Sequence, residues 1–495
     1  MSDGAFDLVQ ARFPGAIFEQ PSEHGIPTWK VDPLALLDVA TFLRDEPETR
    51  YDMLTMLAKR QDELDYQLAS LSHRRRLRLR VAARPELDSL AFIWPAANWA
   101  EREAYGRSGT RFAHHPDLRP LFGAADGAAQ DCTMALDTGW RYPTSQEGLA
   151  LQLELEGDKV DRVQLVLGRR RCGLERQLES RPYGLGILLA ARMDGFAAMH
   201  ADLAYALAIE QFLDITPLPR AGWLRVIYGE LQRIASHLFW LTRCVQRLCP
   251  PSFVASSYAW QGRTAILDLF QQLGGNPITP DVIVIGGVKR PPLDLEHTLR
   301  DLISNLSVCL GDLDVLLEQN PVLHSRLAQI GVIDPGTALG LGVTGPNLRA
   351  AGIAYDVRRA FPYAAYAQLD VPVVVESGGD AYSRCRVRMA EMRHSLQLVE
   401  QALVRLAPGE VCALERDALP PCLPAGTAYG SVESPRGELG MYLVSDGTAS
   451  LQRAYVRAPS LAHLSALPFV ARNALPEQVA PILDSLDISI GEAER

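Results

Sequence analysis

Only eight cysteines occur in 495 residues, and no two of them form a C-x-x-C pair. The nearest two, Cys244 and Cys249, stand five positions apart with no second pair to complete a site. Structural zinc and iron–sulfur centres draw on thiolates at recognisable close spacing, so the sequence predicts no metal or cluster bound by this chain. In a reducing compartment, scattered thiols of this kind are expected to be buried small hydrophobes. Long apolar runs are also lacking: no stretch of about 18 residues is free of charge, and no membrane-crossing helix is expected. Basic charge is in deficit, with 49 Lys and Arg against 59 Asp and Glu. A formal net charge of −10 argues against a nucleic-acid partner, which a basic footprint would accompany. The opening residues, MSDGAFDLVQARFPG, show no charged-then-apolar leader, and a cytoplasmic location is expected.

What is present is ample apolar material, 47% of residues, in a chain long enough for two or three domains. Residues 1–122 read as a small α/β unit. The segment from Pro33 to Gln61 has apolar residues at helical spacing, and Leu77, Leu79 and Val81 then alternate with Arg76, Arg78 and Arg80 as in a strand. That arginine face is expected to be a solvated strand face, with a grip on nucleic acid or an acidic partner as the alternative. Within 94–122 a helix gives way to a turn and an extended segment. Residues 123–139, rich in Ala, Gly and Asp, are expected to be the linker. The rest, 140–495, begins with a hairpin turning at Glu156–Gly157–Asp158 and becomes mostly helical, with helices over 196–213, Trp223 to Arg247, 263–274, 294–319 and 383–406. Strand-and-turn signals return from Tyr429. The expected fold class is α+β: a small N-terminal α/β domain, then a large, mainly helical domain flanked by β hairpins.

Other motifs bear on chemistry directly. GLGILL at 184–189 and GVTGPNLR at 342–349 lack the glycines or Gly-Lys-Ser/Thr of nucleotide sites. His114 and His115 precede a proline and are expected to order a loop. Glu230, Arg233 and His237 lie three and four apart and share one helix face, as a hydrogen-bonded network or a proton-accepting cluster. The block 377–396 carries Asp380, Arg384, Arg386, Arg388, Glu391 and Arg393, either an ion-pair lattice or a surface facing a charged partner.

These blocks resemble the C and D subunits of respiratory complex I (NADH:quinone oxidoreductase) fused in one chain. WPAANWAEREAYGRSGTRFAHHPDLRPLF carries the C-subunit likeness. The D-subunit likeness rests on ESRPYGLGILLAARMDGFAAMHADLAYALAIEQFL, PRAGWLRVIYGELQRIASHLFWL, GVTGPNLRAAGIAYDVRRAFPY, GDAYSRCRVRMAEMRHSL, ESPRGELGMYLVSDG and RAPSLAHLSALP, in that order. The superfamily includes the large subunits of energy-converting [NiFe] hydrogenases. The resemblance implies a peripheral-arm subunit on the inner face of the cell membrane. Its implied partners are a small iron–sulfur subunit and the membrane subunits; the last [4Fe–4S] cluster belongs to the former, and quinone is the implied acceptor.

The same resemblance implies a changed cavity. The hydrogenase R-x-C-G-x-C motif falls on Arg192 to Ala197, with Asp194 and Ala197 at the thiolate positions, and the C-terminal D-P-C-x-x-C motif falls on Ser489 and Glu492. Quinone-reducing members present a hairpin-loop His and an R-M/L-D-Y tyrosine as proton donors. Those positions fall on Gln146 and Gly195. The acidic residue that pairs that His has no counterpart in 238–267, where Arg247 is the nearest match. The family's H-R-G-x-E segment reads Arg171-Cys172-Gly173-Leu174-Glu175, and the His usual beside the cluster falls on Thr279. Glutamine donates a hydrogen bond but releases no proton, and glycine offers neither. The expectation is a complex-I-like subunit coupling electron transfer to ion translocation, with an altered or silent quinone cavity and with Arg171, Cys172, Arg192, Glu230, Arg233 and His237 facing the cluster or forming a polar network. The alternative is a non-catalytic paralogue in a formate-hydrogenlyase-like or antiporter-related complex.

Overall fold

The structure is a computed structural model that describes residues 4–123, 134–137, 149–169, 171–248, 253–318, 320–414 and 419–495. The N-terminal unit is a five-stranded mixed sheet in the spatial order Ile17–Glu23, Ile26–Val31, Arg75–Ala82, Glu63–Ser70, Met53–Arg60. Only the Ile26–Val31 and Arg75–Ala82 pair is parallel. Helix Leu36–Asp45 buries Leu36, Val39, Ala40 and Leu43, three and four apart, against Trp29, Leu64, Leu77 and Leu79. The helical reading of Pro33 to Gln61 is too long. Pro47 cannot continue the helix, and Met53–Arg60 is a strand. Six consecutive residues of that strand are buried, so it lacks the period-two signature and reads as a generic apolar run.

The arginine face faces neither solvent nor nucleic acid. Arg76, Arg78 and Arg80 are buried against the last sheet of the large domain. Arg76 donates to Ser431 Oγ at 3.0 Å and Glu438 Oε1 at 2.8 Å, and Arg78 donates to Thr427 Oγ1 at 2.9 Å and Glu23 at 3.1 Å. Arg80 pairs with Asp65 at 2.8 Å, and the Tyr442 hydroxyl donates to that same carboxylate. The strand's alternation is real, but its polar side is an internal seam.

The large domain is built on helices Ala198–Leu213, Pro219–Leu248, Phe253–Gly274, Leu295–Glu318 and Ala381–Val404. Leu224, Ile227, Leu231, Ile234, Leu238 and Leu241 form a buried stripe on Pro219–Leu248. Strands Ala150–Glu156 and Lys159–Val166 form the expected hairpin, turning at Gly157 with φ +65°. Met134–Asp137, inside the expected linker, is a strand paired with Ala150–Glu156, so that segment is not a plain linker; most of 123–139 lies outside the described residues. A second sheet, Gly426–Ser434, Gly437–Ser445 and Arg453–Arg457, lies against helix Ala198–Leu213. The approach is close at Gly430, where a Cβ would stand 2.2 Å from the Ala204 carbonyl oxygen. The α+β class and the order of the two units are as expected. Among the described residues no helix is long and apolar enough to cross a membrane.

Candidate functional site

Helix Pro219–Leu248 is buried nearly all round, so its polar face must find partners inside the protein. Glu230 is fully buried and accepts hydrogen bonds from Arg233 at 3.1 Å, Arg358 at 3.0 Å, Ser395 Oγ at 2.6 Å and the Tyr366 hydroxyl. Burial opposes its ionisation. Arg358 and Arg233, with those hydroxyl donors, overcome that and hold the carboxyl far below its ordinary value. Arg233 also donates to the Ser434 and Glu433 carbonyls at 3.0 and 2.6 Å. His237 Nε2 lies 3.2 Å from Glu391; burial lowers the imidazole pKa and that carboxylate only partly offsets it. Arg349 then bridges Glu391 at 2.7 Å and Glu433 at 2.8 Å. Glu433 is pushed up to about 7 by burial and by Asp356, against the pull of Arg349. The expected Glu230–Arg233–His237 cluster is thus a network, with His237 joined to it through Glu391.

A second cluster joins the two segments expected at the hydrogenase thiolate positions. A Cβ on Gly491 would stand 2.5 Å from the Met193 carbonyl oxygen, so the C-terminal residues lie directly on the 193–194 turn. Asp194 pairs with buried Arg436, whose Nε lies 3.8 Å from Asp487, and the Ser460 hydroxyl donates to Glu492. These residues do not fit a nickel–iron centre: the four thiolate positions hold the carboxylates of Asp194 and Glu492, the Ser489 hydroxyl and the Ala197 methyl, and a guanidinium already occupies the Asp194 carboxylate. Among the described residues no group of three or more His, Cys, Asp or Glu is arranged to hold a metal ion.

Burial and neighbouring Asp194 push Glu492 up to about 7, while Arg436 pulls the other way. A carboxyl raised from its ordinary 4.5 binds protons more tightly folded than unfolded. Its contribution to stability is therefore present at low pH and is lost as pH rises through that window. Glu492→Gln keeps a hydrogen-bonding oxygen for Ser460 and removes the titration. Melting temperatures measured at about pH 5 and about pH 7.5 should fall less in the variant than in the parent. An identical fall in both would refute the assignment.

Two of the three positions expected at a quinone cavity, Gly195 and Arg247, lie within the described residues. Gly195 is half-buried, and a Cβ there would meet Ile278 Cγ2 at 2.8 Å. Phe196 stacks on Phe239 with ring centroids 4.3 Å apart and an interplanar angle of 15°. Arg247 pairs with Asp484, which Arg243 approaches to 3.9 Å. Asp484 is fixed in turn, since its carbonyl accepts from Trp240 Nε1 at 2.7 Å. Gln146 lies outside the described residues.

The remaining expected positions sit elsewhere. Arg192 is exposed, and Arg171 and Cys172 are exposed on a cavity of about 350 Å³ shared with Arg107, Arg176 and Arg495. Cys172 and Cys422 are exposed while Cys244 and Cys385 are buried, so the expectation of uniformly buried thiols fails at the first two, which lie in surface loops. His115 orders its loop as expected, with Nε2 3.1 Å from the Asn98 carbonyl and Nδ1 accepting from the Asp117 amide at 3.0 Å. Arg384 and Arg388 are fully buried, Arg384 donating to Ser485 Oγ at 3.0 Å and to the Gly379 and Gly331 carbonyls and Arg388 to the Arg384 carbonyl at 3.1 Å; Arg386 is exposed and pairs with Glu376 at 2.9 Å. Arg349, Asp356, Arg358, Glu391 and Glu433 do not stand out together as a site in the sequence. Nothing in one sequence pairs residue 230 with residue 358, although each of the five lies within a block that carries the family likeness.

Residues 252–423 and 419–495 match the family described as respiratory-chain NADH dehydrogenase, 49 Kd subunit. Residues 29–131 match the 30 Kd subunit family of the same chain. The protein is 37% identical over 390 residues to a D subunit of the NADH-quinone oxidoreductase of Chloroflexus aurantiacus, covering 73% of this chain and 94% of that one. The chain belongs to the complex I family. More fully, it is a fused C/D subunit of the peripheral-arm quinone-oxidoreductase type, with the 30 Kd portion preceding the 49 Kd portion. NADH-quinone oxidoreductase subunit 4 of Thermus thermophilus is 36% identical over 388 residues, again covering 73% of this chain and 94% of the relative. Among solved structures, a chain of the membrane-bound sulfane sulfur reductase, an archaeal respiratory membrane complex, superposes with a TM-score of 0.69 at 31% identity, covering 74% of this chain and 100% of that one. These relatives are subunits of multisubunit respiratory complexes.

Proposed function

We propose that this chain is a scaffold and coupling subunit of a membrane-associated complex-I-like oxidoreductase whose quinone cavity is altered or silent. The observation that carries the reading is the site around Gly195. By resemblance Gly195, whose Cβ position Ile278 crowds, stands where the family has its tyrosine donor, and Arg247, paired with Asp484, stands nearest the place of the acidic partner. Two-electron quinone reduction takes up two protons, and general acids supply about 10²–10⁴ of such rates. Neither Gly195 nor Arg247 offers a proton at neutral pH. The small iron–sulfur subunit, carrying a [4Fe–4S] cluster, would dock on the face bearing Arg171, Cys172 and Arg192, with the membrane subunits anchoring the assembly on the inner face of the cell membrane and translocating ions.

The test is purification of the native complex and assay with a short-chain quinone. Turnover is expected below about one hundredth of that of a relative carrying both donors. Robust, inhibitor-sensitive quinone reduction lost on mutation of this subunit would overturn the reading.

A further inference from the structure

Beside Phe239 one cation has no counter-charge among the described residues. Arg263, on helix Phe253–Gly274, is only 7% exposed. Its guanidinium carbon lies 5.0 Å from the Phe239 ring centroid and 5.4 Å from that of Trp260. No carboxylate or hydrogen-bond partner meets it among the described residues, and burial alone lowers its pKa. The side chain is not wholly sealed, since 7% of its surface is exposed.

The neighbourhood holds further guanidinium groups, with Asp487 as well as Asp484 acting on Arg243. Arg243 lies 5.7 Å from the centroid of the same Phe239 ring, and Arg243 and Arg247 share Asp484 as their carboxylate. Aromatic faces return about 0.5–2 kcal/mol to a cation, less than the several kcal/mol that desolvating an ion costs. Among the described residues Arg263 therefore lacks a counter-charge and suits a group that supplies one. Two forked N–H donors match a carboxylate or enolate in its own plane. The Phe196–Phe239 stack and the half-exposed Trp260 offer flat apolar surface beside the guanidinium.

We propose that this aromatic face binds a planar anion, an aromatic carboxylate or enolate, with its charged group on the edge of Arg263 and its ring on the neighbouring aromatic surface. This rests on the reading of the cavity as altered and deepens it. Without a proton donor at Gly195 or Arg247, and with a buried guanidinium that meets no carboxylate among the described residues, the preference moves from a neutral quinone to an anionic ring.

The test is isothermal titration of the purified full-length chain with 2-naphthoate and with its neutral isostere 2-naphthamide. The carboxylate should bind at least about tenfold more tightly. Arg263→Gln should abolish that preference and leave the amide unchanged, whereas Trp260→Ala should weaken both probes alike. Arg263→Lys, which keeps the charge and loses the fork, should fall between. Equal affinity for the two probes, or the same loss for both in Arg263→Gln, would overturn the proposal. The readout is binding and not turnover, so the two readings fail separately. Quinone reduction by the native complex would sink the silent cavity and leave the anion preference standing, and an absent preference would do the reverse.

Discussion

Replacing Glu230 by alanine is expected to lower the stability of the large domain by about 3–5 kcal/mol, the range for removing one partner of a buried ion pair. Three features place this position near the top of that range. Glu230 is fully buried, and Arg233 and Arg358 both turn their guanidinium groups on it. Ser395 and Tyr366 would lose their acceptor as well. Alanine leaves two buried cations and two hydroxyls unpaired, with only part of the deficit met by Asp356 on Arg358 and by the carbonyls on Arg233. Glu230→Gln should cost less, because it keeps an acceptor oxygen and loses only the charge. The pH dependence has a definite sign. The folded carboxyl titrates below its unfolded value, so its contribution is complete at neutral pH and disappears as pH falls toward the folded value. Urea unfolding followed through its first transition reads the effect, since a chain of this size need not unfold in one step. A shift below about 1 kcal/mol for Glu230→Ala would show that the network is over-determined without its central carboxylate.

How far the sequence foretold this network depends on the separation of its members. Glu230, Arg233 and His237 lie on one turn-spaced face, and that face is legible because i, i+3 and i+4 neighbours touch on any helix. Their partners come from 128 residues away for Arg358 and 154 for Glu391. No periodicity encodes such distances. The 377–396 block shows the same limit. Its charges are conspicuous, but burial sorts them, sending Arg384 and Arg388 inward and leaving Arg386 outside.

Local structure followed the hydrophobic period wherever one face met solvent. The hairpin at Ala150–Glu156 and Lys159–Val166 alternates, whereas helix Ala198–Leu213, buried nearly all round, is legible from its Ala- and Leu-rich composition. Met53–Arg60 escapes such a reading because both its faces are covered and a buried strand has no alternation to show. Arg76, Arg78 and Arg80 mislead differently. Their period is correct, but three arginines on a strand look solvated until Glu23 and Asp65 of the same unit and Glu438 and Thr427 of the large domain close over them.

That seam yields the second large effect. Arg76→Glu is expected to destabilise the contact between the two halves by at least about 3–5 kcal/mol. Arg76 lies 2.8 Å from Glu438, with its guanidinium carbon 3.9 Å from the Phe361 centroid and 5.1 Å from that of Tyr429. Reversal removes the cation from those ring faces and sets a second carboxylate against a fully buried first one. Burial already disfavours the charged form of Glu438, and Arg76 is the largest of the influences that keep it ionised, followed by Arg457. Arg76→Met separates the two parts of the loss: it removes the charge without adding repulsion, and Arg457, Tyr355 and Tyr429 still face Glu438. It should cost clearly less than Arg76→Glu. The double variant Arg76→Glu with Glu438→Arg restores opposite charges across the seam and should recover part of the loss, the remainder reflecting Tyr355 and Tyr429, which lose their acceptor. Calorimetry distinguishes the cases: the parent halves should melt together, and Arg76→Glu should split off an earlier transition from the N-terminal sheet. A single unshifted transition in Arg76→Glu would mean that the flanking pairs, Arg78 with Thr427 and Tyr442 with Asp65, hold the halves together without it.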